Sequence, residues 1–197
     1  MVRNHSIPQI EAPDAAAWRR WLEENHDSAD AVWLVFFKKG SGRPSVSWED
    51  AVDEALCFGW IDSKVQRIDD DSYRQYWTRR KPNSVWSRIN KDKIRRLTPE
   101  GRMTPAGLAS VAAAKANGSW TIMDGPDAGV VPDDLAAALA AASPRAEATF
   151  AGFSSSTKRS ALYWLVSAKR PETRTRRIAD IAERAAQGRK PTPLSND

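Results

Sequence analysis

Apolar positions first recur at helical spacing after Pro13-Asp14, where A-A-A-W-R-R-W-L-E-E-N sets Trp18, Trp21 and Leu22 on one face. The pattern then becomes continuous. Ala31 to Lys38 (A-V-W-L-V-F-F-K) is β-branched and aromatic, which predicts a buried strand closed by Gly40, Gly42 and Pro44. Ser47 opens a second helix as its N-cap, with Asp50 three residues on in the manner of a capping box. Val52, Ala55 and Leu56 form its apolar face, and Gly59 stops it. Two strands, Ile61 to Ile68 and Tyr73 to Arg79, flank the turn composition Asp69-Asp70-Asp71-Ser72. In the second of them Tyr73, Gln75 and Trp77 alternate with Arg74, Tyr76 and Thr78.

Pro82-Asn83-Ser84 ends the strands, and every later pattern is helical. Ser87 to Leu97 carries Ile89, Ile94 and Leu97. Thr104-Pro105 caps a helix to Lys115 with Leu108 and Val111 inward, stopped by Asn117-Gly118. Residues 124–131 read as a loop and a domain boundary. Four further helices follow: Pro132 to Ala142, Pro144 to Phe150, Thr157 to Lys169, and one opened by Pro171-Glu172 with Ile178, Ile181 and Ala185 inward. The fold class is therefore α+β over the first 85 residues, a sheet with flanking helices, followed by an all-α helical bundle. The domain expectation is 1–123 for the α+β part, 124–187 for the helical part, and 188–197 for a disordered tail.

Charge adds a second pattern. Among 197 residues, 30 are Lys or Arg and 25 Asp or Glu, yet the net +5 is unevenly spread. From Ser72 to Arg96 nine Lys/Arg face one acid, Asp92, a local net of +8. Such an excess points to an anionic ligand, an acidic protein surface or nucleic acid. A second basic run, Lys169, Arg170, Arg174, Arg176 and Arg177, reads as a solvated helix face. No apolar run is long enough to span a membrane, and the first residues lack a signal-peptide core. With one cysteine, Cys57, no intramolecular disulfide can form. These features together predict a cytoplasmic protein.

Few motifs carry chemistry. His5 and His26 stand far apart and outside any ligand spacing, so no metal is expected. Cys57 ends an apolar helix face and reads as a buried structural thiol. Phosphate-loop and nucleophile-elbow patterns are absent, no cofactor is implied, and no catalytic residue is assigned. What stands out is the aromatic–basic interleaving that begins at Trp60. Asp62 follows it, with Lys64, Arg67 or a later arginine as its partner. Tyr76, Arg79, Arg80, Trp86, Ser87 and Asn90 complete the candidate ligand site. Guanidinium groups supply planar donors for carboxylate or phosphate, and indoles supply stacking surfaces.

The strings G-W-I-D-S-K, R-I-D-D-D-S-Y-R-Q-Y-W-T-R-R-K-P-N-S-V-W-S-R-I-N, G-R-M-T-P-A-G-L and A-K-R-P-E-T-R-T-R-R-I resemble the signature of the YdeI/OmpD-associated, bacteriocin-protection (OmdA-like) family. That family is similar to the YjbR/CyaY-like group. The resemblance implies an antiparallel N-terminal sheet flanked by helices, and a role in tolerance of bacteriocins or antimicrobial peptides. The leading expectation is a non-enzymatic binder of an anionic ligand or partner. The alternatives are a nucleic-acid binder and an enzyme that uses Asp62 on a small anionic substrate.

Overall fold

Six helix starts among the described residues coincide with side chains that cap them. In a computed structural model describing residues 7–195, Asp14, Ser47, Ser87, Thr104, Ser143 and Ser154 each accept a backbone N–H from the first turn of the helix they precede. His5 lies outside the described residues. The chain divides into two compact units, Met1–Asn117 and Gly118–Asp197.

The N-terminal unit runs β1 (Gln9–Glu11), α1 (Ala15–Asn25), β2 (Ala31–Phe37), α2 (Trp48–Cys57), β3 (Trp60–Arg67), β4 (Ser72–Arg79), α3 (Arg88–Leu97) and α4 (Pro105–Ala116). Its sheet has the order β1-β2-β4-β3. β2 and β3 both pair antiparallel with β4, in agreement with the α+β expectation. β1 instead runs parallel to β2, so the sheet is mixed. Three residues are too few to show an alternation, and this edge strand has no sequence signature.

One sheet face carries Val32, Leu34 and Phe36 from β2 beside Trp77, Gln75 and Tyr73 from β4. Trp18 tilts onto Trp77 at 5.6 Å between ring centroids, and Trp21 meets Trp60 edge-on at the same separation. Trp18, Trp60 and Trp77 are fully buried, and truncating any one removes packing of about 3–5 kcal/mol. The Trp18 indole also donates to the Ala51 carbonyl at 3.0 Å, which ties α1 to α2.

Two inward assignments are corrected. Leu108 is 46% exposed, because Gly107, Val111 and Ala114 form the buried row of α4. Ile89 is 64% exposed, because the buried row of α3 is Lys91, Ile94 and Leu97, and Ile89 lies well round the helix from it. The handover from α2 to β3 uses Gly59 at φ 72°, a left-handed conformation that glycine takes without strain.

The C-terminal unit contains α5 (Asp124–Ala128), α6 (Asp133–Ala142), α7 (Pro144–Gly152), α8 (Ser155–Val166) and α9 (Pro171–Ala186). Residues 124–128, expected within a loop, form the short α5. Leu135, Leu139, Phe150, Leu162, Leu165 and Ile181 make the core of this unit. The basic run is used locally. Arg174 pairs with Asp134 at 2.7 Å, and Arg177 donates to the Trp164 carbonyl and to the Ser167 hydroxyl at the end of α8. Beyond α9, Asp180 accepts the Thr192 backbone N–H at 3.0 Å and its hydroxyl, Pro191 is buried, and Leu194 packs against the core.

Candidate functional site in the N-terminal unit

The β3–β4 ladder sets the site. Trp60 lies opposite Arg79 and Asp62 opposite Trp77, and the register then slips by one, so that Val65 meets Gln75. This bulge lies at Ser63-Lys64 and strengthens the local twist of an edge strand. Asp62 shares a face with Trp77 and Gln75. Its carboxylate accepts from the Gln75 amide and, at 3.3 Å, from the Trp48 indole. Both donors are neutral. Lys64 and Arg67 do not reach it: Lys64 is exposed, and Arg67 pairs with Asp70 within the turn.

Arg80 follows β4 directly, and its backbone N–H donates to the Gly59 carbonyl at 2.8 Å. Its side chain is only 9% exposed. The guanidinium lies 3.7 Å over the ring of buried Trp86, and one nitrogen donates to the Val85 carbonyl at 2.6 Å. Nε and Nη1 have no hydrogen-bond partner among the described residues, and neither has the indole N–H of Trp77. Burial pushes the Arg80 pKa down to about 10 against the opposing pull of Asp62. The group is still a cation at neutral pH, held where water does little to screen it. Each unpaired buried donor costs on the order of 1–3 kcal/mol. Groups that stay buried and unpaired at such a cost are candidates for contact with a ligand's acceptor atoms.

The other expected residues serve different ends. Trp60 is core, its indole donating to the His26 carbonyl at 3.1 Å. Arg79 pairs with Asp30 at 2.6 Å and bonds the Asp27 carbonyl. Tyr76 faces away from Asp62 and packs edge-on against Trp33 at 5.0 Å. There it walls a half-open pocket of 450 Å³ with Ile7, Pro8 and Ala31. Ser87 caps α3 by accepting the Asn90 backbone N–H at 3.2 Å. Of the ten candidates, the geometry thus groups Asp62, Arg80 and Trp86 and adds Trp48, Gln75 and Trp77 to them.

The basic excess of 72–96 is largely consumed in ion pairs. Lys93 and Arg96 close on Asp53, Arg88 and Arg95 on Asp92, and Arg79 on Asp30. Next to Asp53, Glu54 takes Arg19 at 2.8 Å and Arg102 at 2.7 Å. Two adjacent carboxylates, both buried in α2, therefore bind α1, α3 and the segment before α4. They were legible in principle, since acids inside the run A-V-D-E-A-L-C must be partnered if the helix is buried. Cys57, one turn on, is pushed up to about 11 by burial and by the charge of Glu54, which leaves the thiol protonated and inert.

Burial opposes ionisation of Asp53, but its bonds to Lys93 and Arg96 prevail and hold it below the usual carboxylate range. A folded pKa below the unfolded one contributes stability above the unfolded value, lost as pH falls through the folded value. We expect the melting temperature to drop below about pH 4, and Asp53→Asn to flatten that drop while lowering stability at pH 7. Parallel melting curves for the two proteins below pH 4 would exclude Asp53 as the titrating group.

Residues 10–110 match the family described as a domain of unknown function, DUF8412. Residues 128–188 match the family described as bacteriocin-protection, YdeI or OmpD-associated. Only the last of the four signature strings falls inside the second match; the first three lie within 10–110. No curated protein and no solved structure matches the chain. Among the described residues, no helix is long and apolar enough to cross a membrane.

Proposed function

The chain belongs to the DUF8412 family, whose description carries no activity, and we propose that its N-terminal unit is a non-enzymatic module that binds a small anion at Arg80. One observation carries this reading: a buried arginine, stacked on Trp86, with two guanidinium nitrogens unpaired among the described residues. A carboxylate or phosphate has the planar or clustered oxygens such donors bind. Catalysis is not proposed, because Asp62 stands as a single carboxylate held by two neutral donors, with no second acid or base on it. The description of the C-terminal match supports a role in bacteriocin or antimicrobial-peptide tolerance, and we place that role in the cytoplasm. The consumption of local charge in ion pairs favours a compact site over an extended nucleic-acid track.

Calorimetric titration of the full chain with inorganic phosphate and with acetate at low salt tests this. One of them is expected to bind the native protein, and Arg80→Lys, which keeps the charge but loses the fork, to bind at least about tenfold more weakly. Equal binding by a folded Arg80→Lys variant overturns the assignment, and so does no binding by the native chain. Tight binding of single-stranded RNA or duplex DNA that falls steeply with salt would replace it with the nucleic-acid reading.

A further inference from the structure

The anion site has a carboxylate beside it that forms no ion pair among the described residues, although its charge reaches Arg80. Asp62 is half-buried, yet its hydrogen bonds come only from the neutral Gln75 amide and Trp48 indole, and no Lys or Arg of the described residues pairs with it. It sits directly across the ladder from Trp77, whose indole N–H is one of the unpaired donors. The site is thus polarised, with donors in want of acceptors at Arg80 and Trp77 and a carboxylate in want of a cation at Asp62. Trp48 stands at the carboxylate end and is 44% exposed, although a tryptophan of this size is ordinarily covered. An exposed indole beside a carboxylate is the arrangement that holds an ammonium group, through the ring face and the charge together.

From this polarity we infer that the ligand is a zwitterion of the amino-acid type, its carboxylate on Arg80 and Trp77 and its ammonium between Asp62 and Trp48. The inference rests on the anion site proposed above and names what that site selects. A plain anion would satisfy Arg80 but leave Asp62 facing it as a like charge. A ligand that carries both charges removes that repulsion and gains a second charge-assisted bond. Gln75, buried and bonded to Asp62, holds the carboxylate in place and so acts as a positioning residue.

Titration of the full chain with the series glycine, β-alanine, 4-aminobutyrate and 5-aminopentanoate tests the inference, with acetate, propionate, butyrate and pentanoate as length-matched acids. At least one amino acid is expected to bind about tenfold more tightly than its matched acid. The preferred length reports the separation of the two charges. Asp62→Asn keeps an acceptor for Gln75 and Trp48, and it is expected to erase that advantage, with the plain acids binding more tightly than to the native chain because the like charge is gone. Trp48→Leu is expected to weaken the amino acids selectively, and it serves as the second variant if Asp62→Asn fails to fold. If acids and amino acids bind alike, the zwitterion reading falls and the anion site stands. If none of the eight ligands nor phosphate binds, both fall.

Discussion

Gly107→Ala is expected to destabilise the N-terminal unit by about 3 kcal/mol, although the same exchange in an open helix position stabilises by up to about 1 kcal/mol. The sign reverses because of one close approach. A Cβ on Gly107 would lie 2.2 Å from the Cys57 carbonyl oxygen and 2.7 Å from its carbon. Neither is the end of a flexible side chain, so α4 would have to move away from α2. That movement would break the bonds which dock α4, the Thr104 backbone N–H at 3.0 Å and its hydroxyl at 2.6 Å, both donated to the same carbonyl. Gly59, in the neighbouring turn, would be disturbed with it, since it packs 3.2 Å from Ala106 and Ser110 by the same measure. Urea unfolding of Gly107→Ala beside Gly152→Ala, where the added carbon meets nothing within 4 Å, is the measurement. A Gly107→Ala protein as stable as the native chain would mean that the two helices do not touch there.

Glu54→Gln is expected to cost about 2–3 kcal/mol. Glu54 is buried and answers two arginines from different parts of the chain, so neutralising it leaves Arg19 and Arg102 facing each other across an amide. Both arginines are partly exposed, which is why the figure stays at the low end of the range for a broken buried pair. Glu23→Gln removes the other partner of Arg19, but at the surface, and is expected to cost under about 0.5 kcal/mol. Equal losses for the two variants, read from urea midpoints, would show that burial gives Glu54 no special weight. Because α2 also bears Trp48, which holds Asp62, the Glu54 variant should in addition weaken ligand binding.

The α+β division, the turn at Asp69–Ser72 and the caps at Ser47 and Thr104 were legible in the sequence because each depends on residues within a few positions of one another. The site was legible in part. Aromatic and basic interleaving marked the Trp60–Asn90 segment, and three of its residues now group together: Asp62, whose charge acts on Arg80, Arg80 with two nitrogens unpaired, and Trp86 stacked beneath Arg80. Trp48 and Gln75 escaped notice because nothing local distinguishes an indole or amide that reaches Asp62 from one that meets solvent. The net +8 overstates the unpaired charge for the same reason. A count along the chain cannot see that Asp53, about 40 positions away, draws Lys93 and Arg96 onto itself.

By itself the sequence determined the kinds and most of the bounds of the elements, since backbone propensity, capping and hydrophobic period act over one or two turns. It also determined that charge and aromatic rings concentrate after Trp60. Tertiary structure alone decided which of those cations pair with an acid and which, like Arg80, form no ion pair among the described residues. Ion pairing falls off with distance in space and strengthens with burial, and neither quantity is a function of separation along the chain. That is why Arg79 and Arg80, adjacent in sequence, end so differently, the first on the surface with Asp30 and the second buried on Trp86 with two donors still to be met.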